Sequence, residues 1–449
     1  MRLVAIVFVL FSLSFGQQAP TPDLPRTPAG NHVEAYIKAF NSGEEAMKEF
    51  FRDHASKDAL NDASVEQRVE RYRQMHERLG SLTLEKVLAS REDFVSALFH
   101  AGNTGQVRID FEFEKSSPYG LVGIRVEDSR GEGLPPNPKR DSAELIAAVT
   151  DLLAKSASSD EFSGAVLIAQ NGKPIFEKAY GYADREQKTP NRIDTKFNLG
   201  SINKSFTALA IRQLAKKGKL SLNDPIKKFL PDYPNKEAAE KVTIQHLLAM
   251  TSGIGDFFGE RYDSTSKEKL LTLKDYLPLF ADKPLEFEPG TRNRYSNGGF
   301  VVLGLIIEKV TGSDYYTYVR NNIFIPAGMT ETESYGKDVT IPNRAVGYIL
   351  DGTVRKSNYE TLPGRGSSAG GGYSTVEDLL KYTIALEHGT ITPDGKGDRG
   401  GFGIAGGAPG LNSALEWDPK SGYVIAVMSN FDPPTAERVA RQIRSWLPQ

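Results

Sequence analysis

The stretch Phe197-Asn198-Leu199-Gly200-Ser201-Ile202-Asn203-Lys204 runs without interruption into Ser205-Phe206-Thr207-Ala208-Leu209-Ala210-Ile211. Dense apolar residues follow with no proline until Pro225, and Gly218 stands where a helix would stop. The spacing therefore predicts a mostly buried helix over Ser201 to Lys217, with Ser201 in its first turn. Positions three apart share a helix face, so Lys204 projects beside Ser201. A serine hydroxyl is a poor nucleophile until a neighbouring base takes its proton. A lysine serves as that base only when burial lowers its pKa enough to leave the amine neutral. The apolar run supplies the burial, and the free N–H groups and positive potential of a helix start favour a developing oxyanion. Alone, Ser-x-x-Lys is also what a helix cap followed by a solvated lysine looks like, so the rest of the chain has to decide.

A chain of 449 residues with a net charge of -2 and no basic stripe reads as two or three globular domains with no electrostatic affinity for nucleic acid. Residues 1–16 read as a secretory signal peptide: Arg2, an apolar run from Leu3 to Phe15, then Ser14 and Gly16 before a cut ahead of Gln17. That run is too short to span a bilayer, so no integral membrane segment is expected in the mature chain. Cysteine is absent, which excludes disulfides, thiolate metal sites and a lipid anchor on cysteine and suits a periplasmic or secreted bacterial protein. Residues 17–30, rich in Pro and Thr, read as a flexible tether.

Residues 31–127 read as a small α+β accessory domain. Ser64 and Gln67 form a capping box ahead of Val65, Val69, Tyr72 and Leu79 at helical spacing, and Gly80 closes the helix. The period then changes to two. Val107, Ile109, Phe111 and Phe113 alternate with charged residues, and Val122, Ile124 and Val126 repeat the pattern after a turn at Ser116 to Gly120. Helices followed by a strand meander resemble a nuclear-transport-factor-2-like cone. His32, His54, His76 and His100 lack metal-ligand spacing and read as surface or core residues. Residues 128–140 turn Gly/Pro-rich and charged, as a linker does.

From 141 to 449 a second domain is expected. A helix from Asp141 to Ala157 leads to a strand Gly164 to Gln170, an Asn171-Gly172 hairpin turn and a return strand Lys173 to Gly181. Gly410 to Trp417 and Gly422 to Ser429 make a second hairpin before a helix from Pro434 to Trp446. Strands at both ends with helices between them imply an antiparallel sheet flanked by helices, plus a helical lobe. The chain as a whole is thus α+β and multidomain.

Past the turn Phe287-Glu288-Pro289-Gly290-Thr291 the chain reads Tyr295-Ser296-Asn297 before an apolar helix from Phe300 to Val310. Tyr295 offers a second proton carrier and Asn297 an amide for a substrate carbonyl. Read separately, these would be a buried tyrosine and a helix N-cap. Taken together, Ser201-x-x-Lys204 and Tyr295-x-Asn297 resemble the serine β-lactamase and penicillin-binding-protein superfamily, in its class C-like branch of esterases, D-stereospecific peptidases and β-lactamases. Gly164 to Ile168, His246-Leu247-Leu248, Thr251 to Ile254, Pro289-Gly290-Thr291, Ala369-Gly370-Gly371, Tyr373-Ser374-Thr375 and Gly410 to Ser413 agree with that family's habits.

The resemblance implies a β-lactamase/transpeptidase-like fold for 141–449 and acyl transfer without metal or organic cofactor. Ser201 would attack a carbonyl, Lys204 and Tyr295 would carry its proton, and water would release the acyl-enzyme. The oxyanion would lie between the N–H groups of Ser201 and Gly407. The substrate would be a small molecule or peptide, cell-wall fragments among them: an ester, a D-amino-acid peptide or a β-lactam. The chain departs from the family where relatives carry Lys-Thr-Gly or His-x-Gly, for Ile404 fills that slot and cannot pair a carboxylate. If the slot faces the pocket, Ile404 gives it an apolar wall. The alternative function is a catalytically weakened relative that binds peptidoglycan or a protein partner.

Two further patterns mislead. Gly366-Ser367-Ser368-Ala369-Gly370 matches a nucleophile elbow but lacks the strand before it and the helix after it. Gly401-Phe402-Gly403-Ile404-Ala405-Gly406 matches a dinucleotide fingerprint but runs on to Pro409. His246 reads as a satisfied core histidine.

Overall fold

The computed structural model describes residues 24–62, 64–102, 105–128 and 140–447. The stretch 1–16 read as a leader, the first half of the stretch read as a tether (17–23) and all but the ends of the 128–140 stretch read as a linker lie outside the described residues. These residues form two compact units, divided at Pro138.

In the first unit, helices Pro28–Ser42, Glu44–His54 and Val65–Leu79 precede a four-stranded antiparallel meander in sequence order. Pro28 begins a helix capped by Thr27, so the end of the stretch read as a tether is helical. Ser64 and Gln67 close the capping box, and Gly80 ends the helix. The first two strands, Leu82–Arg91 and Phe94–Ala101, are not signalled by clean alternation. Val107, Ile109, Phe111 and Phe113 are buried as expected, but Val122 is exposed and Leu121 buried in its place. A register shift at Glu112/Phe113 sets Phe113 opposite Leu121 and turns the last strand over by one residue. The His32 and His54 Nδ1 atoms meet at 2.8 Å, each ring stacked on a phenylalanine, Phe113 and Phe50 respectively.

The second unit is built on a five-stranded antiparallel sheet in the order Phe402–Ala408, Leu411–Asp418, Tyr423–Ser429, Gly164–Gln170, Lys173–Tyr180. Both faces are covered, which is why the central strands are apolar throughout. Ala165, Leu167, Ala169, Ala426 and Met428 face a large core shared with the helical lobe. Val166, Ile168, Ile425 and Val427 face the opposite way, onto the helices Ser142–Ser158 and Thr435–Trp446. These two terminal helices bring the ends of the unit together, with Arg140 N donating to Trp446 O at 3.0 Å. The lobe between residues 203 and 387 includes the buried helices Asn203–Lys216, Asn297–Thr311 and Val376–Glu387. Among the described residues, no helix is long and apolar enough to cross a membrane.

Candidate active site

Between the sheet and the lobe, the chain leaves the short strand Phe197–Asn198 through a turn that only glycine fits. Gly200 has φ of +50°, its N–H donates to Asn198 Oδ1 at 2.9 Å, and a Cβ there would lie 2.7 Å from Gly407 N. Residues Gly200–Ile202 form a 3₁₀ turn and the α-helix starts at Asn203. The tight turn strengthens the i, i+3 alignment of Ser201 with Lys204. Asn198 O accepts from Ser413 Oγ at 3.0 Å, and Leu199 N donates to Gly372 O at 2.7 Å, so both the sheet and the 366–372 loop pin the turn.

Strand Phe402–Ala408 runs against this turn at Gly406, where there is no room for a side chain. A Cβ on Gly406 would lie 2.0 Å from Leu199 O and 2.6 Å from Ser201 N. Ser201 and Gly407 both line the same cavity. Asn412 fixes the strand from its other side, donating through Nδ2 to Gly406 O at 3.0 Å and accepting the Ala436 N–H at the start of the last helix.

Lys204 is 7 % exposed and its amine meets three oxygens: Asn297 Oδ1 at 2.7 Å, Ala369 O at 2.5 Å and Ser201 Oγ at 3.1 Å. Burial pulls its pKa from 10.5 down to about 7, and the nearby Asp256 carboxylate opposes the shift without cancelling it. The neutral amine has two N–H donors and one lone pair. Asn297 Oδ1 and Ala369 O can only accept, so they take both donors and leave the lone pair to Ser201 Oγ. The Tyr295 and Phe300 rings lie 4.7 and 5.7 Å from Nζ.

Tyr295 Oη stands 2.5 Å from Ser201 Oγ. The residue is 51 % exposed, with the hydroxyl end turned into the site. Burial raises its pKa, against the bond from Ser201, so the phenol stays protonated and is suited to donate or relay a proton. This leaves Lys204 as the group able to take the Oγ proton. Ser296, between Tyr295 and Asn297, is the actual helix N-cap: its Oγ accepts from Gly299 N at 2.8 Å and donates to Gly255 O at 3.1 Å. Asn297 is the first helical residue, with its side chain free to face Lys204.

Residues 250–255 run beside 286–296, with Gly290 N on Thr251 O at 2.8 Å and Arg294 N on Met250 O at 2.8 Å. This brings in Asp256, which the sequence reading missed. Its Oδ2 accepts from Asn297 Nδ2 at 2.7 Å. The Ala369 carbonyl was missed as well, since nothing in a side-chain pattern marks a backbone acceptor. The elbow-like segment has a structural task instead: Ser368 is fully buried, donates to Phe300 O at 2.8 Å, and offers its carbonyl to Thr207 Oγ1 at 2.7 Å. His246 is half-buried and completes a capping box with Thr243. Ile404 is half-buried against the main core and does not line the cavity, so the apolar wall expected of it is not there. The cavity measures about 880 Å³ and is lined by Ser201, Tyr295, Asn297 and Gly407 among others.

The Beta-lactamase family profile matches residues 147–447. Penicillin-binding protein 4* of Bacillus subtilis (strain 168) is 33 % identical over 240 residues, which cover 50 % of this chain and 52 % of that protein. The chain thus spans about half the length of this curated relative. The crystal structure of a penicillin binding protein from Bacillus halodurans is 32 % identical with a TM-score of 0.59, covering 65 % of this chain and 99 % of that one. The D-amino acid amidase from Ochrobactrum anthropi SV3, solved with L-phenylalanine amide, is 25 % identical with a TM-score of 0.57, covering 67 % of this chain and 97 % of that one.

Proposed function

Because the chain belongs to the serine β-lactamase and penicillin-binding-protein superfamily, we propose that it hydrolyses an acyl substrate through a covalent ester on Ser201 Oγ. One observation carries the reading: Ser201 Oγ lies between an amine whose pKa burial has lowered to about 7 and a protonated phenol at 2.5 Å. Lys204 takes the Oγ proton as Oγ attacks the carbonyl, and the oxyanion forms between the N–H groups of Ser201 and Gly407. Collapse expels an alcohol or amine, which takes up the proton held by Lys204, with Tyr295 Oη within reach to carry it. Water then attacks the acyl-enzyme with Lys204 again as base, and Ser201 is restored. Asn297 holds Lys204 and presents an amide edge to the substrate.

The substrate is an ester, a D-amino-acid amide or peptide, or a β-lactam; the name of the matched family and the D-amino acid amidase among the similar structures support the last two. The leader-like residues 1–16 and the absence of cysteine support a periplasmic or secreted location, and cell-wall fragments are the peptide substrates within reach there. A purely binding role is less consistent with a lysine kept ready to lose its proton beside a serine. Intact-mass analysis after incubation with a fluorophosphonate tests the reading. One adduct per chain is expected, absent from Ser201→Ala. A folded wild-type protein that stays unlabelled and turns over no ester, D-amide or lactam would falsify it.

A further inference from the structure

Three lysines are buried among the described residues: Lys196, Lys204 and Lys337. Lys196 has Glu331 at 2.6 Å and the Pro342 carbonyl at 3.3 Å. Lys204 has the oxygens of the serine site. Lys337, 9 % exposed, differs from both. No carboxylate lies within 4.0 Å of its ammonium, and that ammonium makes no hydrogen bond among the described residues. The ammonium lies over the Tyr359 ring, whose centroid is 4.1 Å from Nζ. Yet Lys337 lines the same cavity as Ser201.

The backbone around this lysine is braced. Lys337 N donates to Gly364 O at 2.7 Å, and the Arg344 guanidinium donates to Gly336 O at 3.2 Å and Lys337 O at 3.1 Å. Lys267, also on the cavity wall, spends its ammonium on the carbonyls of Tyr262, Asp263 and Thr265. The acidic residues on the wall, Asp263 and Glu360, form no ion pair with Lys337. The Lys337 ammonium is not among the fully enclosed unpartnered polar atoms, so it opens onto the cavity with an aromatic face beside it and no counter-ion. A cation in a cavity wall with its pairing capacity unused is complementary to an anion that the ligand brings. The third-motif slot cannot supply that cation here, since Ile404 turns to the core.

We propose that Lys337 is the anion-recognition point of this cavity, so that the enzyme selects acyl substrates bearing a free carboxylate. The inference rests on the hydrolase reading for its chemistry, but the binding it predicts can be measured without turnover.

Mono-p-nitrophenyl esters of succinic, glutaric and adipic acid, each paired with its own methyl diester, vary the reach of the carboxylate and its charge. Wild type is expected to prefer at least one acid over its methyl partner in kcat/KM. Lys337→Met should lower kcat/KM for that acid by about ten- to a hundredfold while leaving the methyl partner within about threefold. Lys337→Arg should keep part of the preference. In a Ser201→Ala background, equilibrium binding of the same pair should show the same loss on Lys337→Met. That arm decides the inference even if the serine proves unreactive, and fluorophosphonate labelling judges the serine separately. An acid-to-neutral ratio unchanged in folded Lys337→Met, or in Lys337→Gln should the Met variant not fold, overturns the proposal and leaves the hydrolase reading intact. A wild type with no preference for any of the acids overturns it as well.

Discussion

Asp256 and Lys204 are joined through a single side chain: Asn297 Nδ2 donates to Asp256 Oδ2 at 2.7 Å, and Asn297 Oδ1 accepts from Lys204 Nζ at 2.7 Å. The carboxylate thus orients the amide while its charge pushes the Lys204 pKa upward against burial. Asp256→Asn keeps an acceptor for Asn297 and removes the charge. The acidic limb of the kcat/KM profile should then move to lower pH. A limb that stays in place, or moves upward, would show that the carboxylate does not bias the base.

A base held at about 7 makes kcat/KM rise through neutral pH as Lys204 sheds its proton and level off above it. Lys204→Met should reduce acylation about 10²- to 10⁴-fold, with no pH optimum recovered elsewhere. Single-turnover acylation with a chromogenic ester across pH 5.5–9 checks both. Survival of acylation in that variant would transfer the base role to Tyr295.

The same displaced pKa has a sign for stability. In the unfolded chain Lys204 titrates near 10.5, whereas in the folded chain it does so at about 7. Between those values the unfolded state holds more protons, so the contribution of this residue to stability rises with pH across the window, and below it the folded state bears the full penalty. The Tm difference between Lys204→Met and wild type should therefore shift steadily in favour of wild type from pH 7 to 10. Calorimetry at pH 7, 8.5 and 10 measures it. A constant difference would mean that burial does not depress the amine.

Gly406→Ala should damage the site through the backbone, since its Cβ would meet Leu199 O at 2.0 Å and Ser201 N at 2.6 Å. The strand has to move off the serine turn, and a misplaced oxyanion donor costs on the order of 10²–10³ in rate. Gly403→Ala, whose Cβ would meet only Glu416 Cγ at 3.9 Å, is the matched control on the same strand and should keep near-normal kcat. Equal losses in the two variants would point to general disruption of the strand.

Because the residues lining the cavity all fall between Asn198 and Leu411, and the first unit has its own core, a chain beginning at residue 139 should fold. Its specific activity should stay within about tenfold of full length. A larger loss in a folded, monodisperse protein would give the first unit a part in the site.

What could be read from the sequence follows from how local each signal is. Ser201 and Lys204 are three residues apart on one helix, and the hairpin turn Asn171-Gly172 announces its two strands, so pattern and structure agree there. Asp256 and the Ala369 carbonyl reach Lys204 only by tertiary approach, across distances in sequence that no periodicity spans. Val122 faces solvent because it is itself the extra residue of a bulge, left unpaired between Gly123 opposite Glu112 and Leu121 opposite Phe113, and an alternating pattern cannot report a bulge. Ile404 could be assigned to its slot by its neighbours, but the direction of its side chain is set by the pleat of the strand and the core behind it.

The strand Gly164–Gln170, fourth of the five, takes its inner neighbour from Tyr423–Ser429, near the other end of the chain. At the usual pace of about 5–20 residues per second, the ribosome leaves that apolar strand with one edge unsatisfied for on the order of tens of seconds. The nascent hairpin is exposed to wrong partners throughout that wait. Its synthesis therefore favours a holding chaperone, and premature termination anywhere in the helical lobe yields a chain with an open sheet edge and no means of closing it.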